Sequence, residues 1–131
     1  MTPARDCGRT VLVVEDDRDV REAISEVLVD CDYKPVHASN GVEALERLRS
    51  AAVAPCVILL DVMMPTMDGW EFRAQQQRDP AVKDIPVVVL SAHADGADAA
   101  SKMAAAGYLK KPVALEALLG IVERFCVLDP A

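Results

Sequence analysis

A chain of 131 residues, 52% hydrophobic and 27% charged, has the size and apolar content of one folded domain and not those of a disordered segment. Its net charge of −7 argues against nucleic acid as a direct partner, because neutralising phosphates needs a basic face. No apolar run is long enough to cross a bilayer, and Met1–Arg9 lacks an apolar signal core, so a cytoplasmic location is expected.

Residues 1–9 read as a loose tail. Thr10–Val14 is a β-branched apolar run, hence a buried strand, and it ends in Glu15-Asp16-Asp17. From Asp17 to Cys31, Val20, Ile24, Val27, Leu28 and Cys31 recur at helical spacing, with acids at the start where the dipole favours them. Asp17 is a candidate cap there. Lys34–Ala38 is a short strand. A second helix follows Ser39-Asn40-Gly41, with Asn40 as its cap and Val42, Leu45, Leu48 and Ala52 on its inner face.

Val57-Ile58-Leu59-Leu60 is a strand buried on both faces that stops at Asp61, before a proline and an Asp68-Gly69 turn. A third helix is predicted from about Asp68 to Gln77. Ile85–Ser91 is a fourth strand with Pro86 at its start, where it costs no ladder bond. Asp95–Ala106 is alanine-rich and helical but has few large apolar anchors. Gly107–Lys110 is a fifth strand, and Lys111-Pro112 leads to a last helix with Leu115, Leu118, Leu119, Val122 and Phe125 inward.

Cys7, Cys31, Cys56 and Cys126 are scattered, with no Cys-x-x-Cys pair and no histidine placed to complete a zinc site. Reduced thiols are expected. Strand and helix alternate five times, the pattern of a doubly wound parallel α/β sheet. No repeat or linker interrupts it, and no stretch is left over for an output domain.

In such a sheet the strand ends share one edge, where ligands bind. Glu15 and Asp16 after strand one, Asp61 on strand three, Ser91 on strand four and Lys111 after strand five would converge there. Three carboxylates in one place need a cation, and an all-oxygen, partly hydrated set suits Mg²⁺. Lys111 and a divalent ion would bring the site near neutrality. A carboxylate so placed can act as a nucleophile toward phosphorus.

These motifs carry a family resemblance. Val-Leu-Val-Val-Glu15-Asp16-Asp17, Leu-Leu-Asp61-Val-Met-Met-Pro65-Thr-Met-Asp68-Gly69, Pro86-Val-Val-Val-Leu-Ser91-Ala92 and Tyr108-Leu-Lys-Lys111-Pro112 occur in this order. The chain resembles the receiver domain of two-component response regulators over residues 10–128, in a stand-alone, chemotaxis-regulator-like form. The resemblance implies a flavodoxin-like (βα)5 fold with strand order 2-1-3-4-5. It implies that Asp61 is the phosphoacceptor for a sensor histidine kinase or histidine phosphotransfer protein. Asp16, Glu15 (through water), Asp61 and the backbone carbonyl of Met63 would hold Mg²⁺. Lys111 would contact the phosphoryl group, across a cis bond to Pro112. Ser91 and Tyr108 would switch the face made by helix four, strand five and helix five, for a downstream protein target.

The same resemblance implies a phosphoacceptor and not a dedicated enzyme. Met63 and His93 stand where the family tunes phosphoryl lifetime, and a thioether orients attacking water poorly, so slow loss of phosphate is expected. Each residue also has a plainer reading. Acids after a strand cap helices, serine is common at strand ends, Tyr108 could be packing, and Trp70 is core or rim. A degenerate receiver serving as a phosphorylation-independent docking module is the alternative from another class.

The chain departs from the family pattern in the fourth helix. Ala104 and Ala105 replace a Gly-Ala pair, removing the residue that makes a left-handed helix stop. Ala106 occupies an expected acidic position of the dimer face, so a monomer or weak dimer is expected.

Overall fold

The computed structural model describes residues 9–50, 54–62, 67–92 and 96–126. The apolar runs lie side by side as β1 (Thr10–Val14), β2 (Lys34–Ala38), β3 (Val57–Asp61), β4 (Val87–Ser91) and β5 (Gly107–Lys110). They form one parallel sheet in the order β2-β1-β3-β4-β5. Every residue of β3 and β4 is buried, as a strand covered on both faces requires.

Side-chain alternation divides the interior into two layers. Leu12, Val14, Ile58, Leu60, Val87 and Val89 face the layer closed by Leu45, Leu48 and Phe72. Those three come from α2 (Gly41–Ser50) and α3 (Gly69–Gln77), and Ala100 of α4 (Gly96–Lys102) joins them. Val11, Val13, Val57, Leu59, Val88 and Leu90 face the other layer. Ile24 and Leu28 of α1 (Arg18–Asp30) and Leu118 and Val122 of α5 (Leu115–Phe125) close it.

The helix starts are capped as their sequences suggest. Asp17 accepts from the backbone N–H groups of Asp19 and Val20, and Asp68 accepts from that of Glu71. Asn40 Oδ1 accepts from Glu43 N at 2.9 Å, the bond of a helix cap, while Glu43 Oε1 accepts from Ser39 N, one residue before the cap, at 2.9 Å.

Several expectations are corrected. Val42 is exposed, and Ala44 takes the inward position beside Leu45 and Leu48; Ala52 lies outside the described residues. Leu115 opens α5 and is exposed, because the inward stripe begins one turn later at Leu118. β4 starts at Val87, since Pro86 has no N–H for the ladder. Cys56 and Cys126 are not separate thiols but a disulfide, with Cα atoms 5.3 Å apart, joining the start of β3 to the end of α5. Cys31 is free, and Cys7 lies outside the described residues. Trp70 sits exposed on the rim.

The fourth helix is shorter than its alanine-rich sequence predicts, ending at Lys102. The stop is made without glycine: Ala104 itself takes φ 56°. A side chain in that left-handed region costs about 1–2 kcal/mol. Ala104→Gly is therefore expected to raise unfolding free energy by about 0.5–1 kcal/mol, after allowing for glycine's unfolded-state entropy. Urea titration measures this, and an unchanged midpoint would count against it. Because α4 itself buries only Gly96 and Ala100, its amides are expected to exchange faster than those of α1, α2, α3 and α5. Strong protection of α4 by hydrogen exchange would refute that.

Candidate functional site

The carboxyl ends of β1, β3 and β4 meet at one edge. Asp61 is the last residue of β3, opposite Leu90, and Ser91 closes β4 opposite Lys110. Glu15 directly follows β1, and its N–H donates to Ala38 O at 3.0 Å, which carries the β1–β2 pairing one step further. Arg21 Nη1 donates to Glu15 O at 2.8 Å, so α1 holds the acidic turn from outside.

Beyond β3 the chain folds back so tightly that a side chain at position 69 would collide with it. A Cβ on Gly69 would lie 2.8 Å from both Asp61 O and Val62 Cα. Gly69 N donates to Val62 O at 2.9 Å, which ties the start of α3 to the end of β3. This close approach is why Asp-Gly follows the strand.

Lys111 arrives from the far side of the sheet. Its backbone N–H donates to Ser91 O at 2.8 Å, and the bond to Pro112 is cis. The ammonium reaches Glu15 Oε1 at 2.5 Å and Asp61 Oδ2 at 3.5 Å. One oxygen each from Glu15, Asp16 and Asp61 lie within 4.8 Å of one another.

Glu15 is 0% exposed, and burial, then the neighbouring Asp61 carboxylate, push it up to about 8 against the opposing pull of Lys111. Asp16 is also raised, by desolvation first and then by Asp61. Burial alone would lower the Lys111 pKa, but the bond to Glu15 and the charge of Asp61 outweigh it and hold the ammonium above its ordinary range. The carboxylates are thus crowded beyond what one lysine offsets. Glu15 Oε2 is buried and accepts no hydrogen bond among the described residues. An orphaned carboxylate oxygen beside two more carboxylates is what a hard divalent cation would satisfy, and the residues fit one. Asp61, beside the Lys111 ammonium, can attack an electrophile whose developing negative charge that cation stabilises.

Glu15, Asp16, Asp61 and Lys111 are therefore brought together. Ser91 is buried at the adjacent strand end. Tyr108 packs partly buried against the α2–α3 layer, and its ring lies with the Ser91 side chain where a Cβ on Gly96 would be. Met63 and His93 lie outside the described residues. Sequence reading missed Arg21 and Gly96. The first could have been sought as a cation one turn into α1; the second becomes visible only when Tyr108 and α4 are seen in contact.

The family model for the response regulator receiver domain matches residues 11–123. Response regulator MprA of Mycobacterium ulcerans is 41% identical over 111 residues, 83% of this chain and 46% of that protein. The chain thus spans about half the length of the curated relatives it matches. The chemotaxis response regulator CheY4 of Vibrio cholerae is 31% identical with a TM-score of 0.78, covering 88% of this chain and 97% of that one. The phosphorylated cyanobacterial phytochrome response regulator RcpA is 31% identical with a TM-score of 0.75, covering 93% and 98%.

The Glu15 environment has a consequence for stability in metal-free buffer. Its folded value of about 8 exceeds its ordinary 4.5, so between them the native state holds more protons than the unfolded chain. Stability is then expected to fall as pH rises through that window. The raised Lys111 acts only above its ordinary 10.5 and does not contribute there. Glu15→Gln, neutral throughout, is expected to flatten the slope between urea midpoints taken at about pH 6 and about pH 8. An equal slope in both proteins would disprove this origin.

Proposed function

Because the chain belongs to the response regulator receiver domain family, we propose that Asp61 accepts a phosphoryl group from a phosphohistidine on a sensor histidine kinase or a histidine phosphotransfer protein. The observation that carries this reading is the Asp61 carboxylate at the tip of β3, sharing one small space with Glu15, Asp16 and the Lys111 ammonium. An Asp61 oxygen attacks phosphorus in line, the new O–P bond forms as the donor's N–P bond breaks, and the imidazole leaves with the bonding pair.

Mg²⁺, bound by Asp16, Asp61, Glu15 through water and the Met63 carbonyl, would neutralise charge on the transferring oxygens. Lys111 binds a phosphoryl oxygen, exchanging part of its contact with Glu15 for the new anion. Ser91 donates its hydroxyl to another oxygen. Its movement draws Tyr108 inward, and the face of α4, β5 and α5 changes for a downstream protein. On this reading the protein is a cytoplasmic switch, monomeric or weakly dimeric. It assists its own phosphorylation and slow dephosphorylation but turns over no substrate of its own.

Incubation with Mg²⁺ and a small acyl phosphate, followed by intact mass and Trp70 emission, tests the proposal. One phosphoryl group is expected in the wild-type chain and none in Asp61→Asn. Lys111→Ala is expected to slow the gain on the order of 100-fold, as for loss of one charge-stabilising donor. A wild-type chain that stays unmodified would favour a phosphorylation-independent docking module instead.

A further inference from the structure

α3 turns two polar residues into the interior at positions where an amphipathic helix would carry apolar ones. Gly69, Phe72, Arg73 and Gln76 are its buried residues, and Arg73 is 8% exposed. Among the described residues no carboxylate pairs with this guanidinium. A buried cation is costly unless every direction is satisfied. Its partners are instead carbonyls just past α4: Nε donates to Met103 O at 3.0 Å and Nη2 to Ala104 O at 2.9 Å. Nη1 donates to Gln76 Oε1 at 2.8 Å, and Gln76 Nε2 donates to Val82 O and Ile85 O, both at 3.0 Å. Gln76 thereby fixes the guanidinium plane against the segment that leads into β4.

Ala104 is the left-handed residue that ends α4. Helix ends leave carbonyls without intrahelical partners, and the dipole there favours a cation. The last carbonyls of α4 are met by its own turn, with Met103 N donating to Ala99 O at 3.0 Å, Ala104 N to Ser101 O at 3.1 Å and Ala105 N to Ala100 O at 2.9 Å. Arg73 supplies from another helix the charge and the donors for the next two carbonyls, Met103 O and Ala104 O. We propose that Arg73 completes the C-terminal cap of α4 by holding the capping turn across the core from α3, and that it sets the resting position of the α4–β5 connection. The cap compensates for the missing glycine and for the weak apolar anchoring of α4. It also controls where β5 begins, since Ala106 N donates to Val87 O at 2.7 Å directly after the capped turn and Tyr108 follows. Arg73 is thus a positioning residue for the Ser91–Tyr108 contact. Only this last role rests on the phosphoacceptor reading; the cap stands without it.

Amide exchange and acyl-phosphate labelling of Arg73→Leu and of Arg73→Leu with Ala104→Gly test the cap. In Arg73→Leu, residues 103–108 are expected to exchange at least about tenfold faster, the effect of losing charge-assisted hydrogen bonds, with β1 and β3 unchanged. Adding Ala104→Gly is expected to slow that exchange more than the same change does in the wild-type chain, because glycine holds the turn without a donor. Loss of core packing alone would not give this coupling. Wild-type exchange in Arg73→Leu, or equal effects of Ala104→Gly in both backgrounds, would overturn the cap. Should Arg73→Leu not fold, Arg73→Lys, which keeps the charge but reaches only one carbonyl, must loosen 103–108 to a smaller extent; unchanged protection there also overturns it. Arg73→Leu is expected to gain its phosphoryl group yet lose the phosphorylation-dependent change in α4 exchange, and retention of that change overturns the positioning role. A wild-type chain that gains no phosphoryl group defeats the phosphoacceptor reading while the exchange comparison still decides the cap.

Discussion

The contact between the Lys111 ammonium and the carboxylates of Glu15 and Asp61 is the interaction the rest of the fold serves. It joins the chain after β1, the end of β3 and the turn after β5, segments far apart in sequence. Like charges at this density repel, and burial of Glu15 raises the cost. Such a cluster persists only because two apolar layers fix the sheet beneath it. The result is an edge whose crowded carboxylates, with one buried oxygen of Glu15 lacking a hydrogen bond among the described residues, fit a hard cation.

The two layers are not equally robust. The α1–α5 side is closed by Ile24, Leu28, Leu118 and Val122. The other side ends at α4, a short helix whose own buried positions are Gly96 and Ala100. Small residues gain little from burial, so polar bonds from α3 contribute to its placement. A helix held by a few directional bonds is easier to move as a unit than one held by many dispersion contacts. That asymmetry sits on the side of the sheet where Ser91 and Tyr108 meet.

Helix capping shows the same division between local and distant control. Asp17, Asn40 and Asp68 cap helices from adjacent sequence. The turn that ends α4 closes on its own backbone, with Ala104 N bonded to Ser101 O and Ala105 N to Ala100 O, but the carbonyls of that turn are bonded from α3, thirty-one residues away at Ala104. Local caps are legible in a sequence because donor and acceptor lie within one turn. A cap from another helix is not.

The sequence alone determined the parallel sheet covered on both faces and the meeting of Glu15, Asp16, Asp61 and Lys111 at its edge, because buried parallel strands and their carboxyl ends follow from periodicity and motif order, while the strand order followed from the family resemblance. It also contained a signal that went unread, Arg73 and Gln76 at the inward spacing of Gly69 and Phe72. Only the tertiary structure decided that Val42 and Leu115 face outward, that Cys56 meets Cys126, and that Ala104 stands in for a glycine. Helical periodicity says which residues share a face, but which edge of that face is covered, and by what, depends on neighbours that the chain brings in from elsewhere.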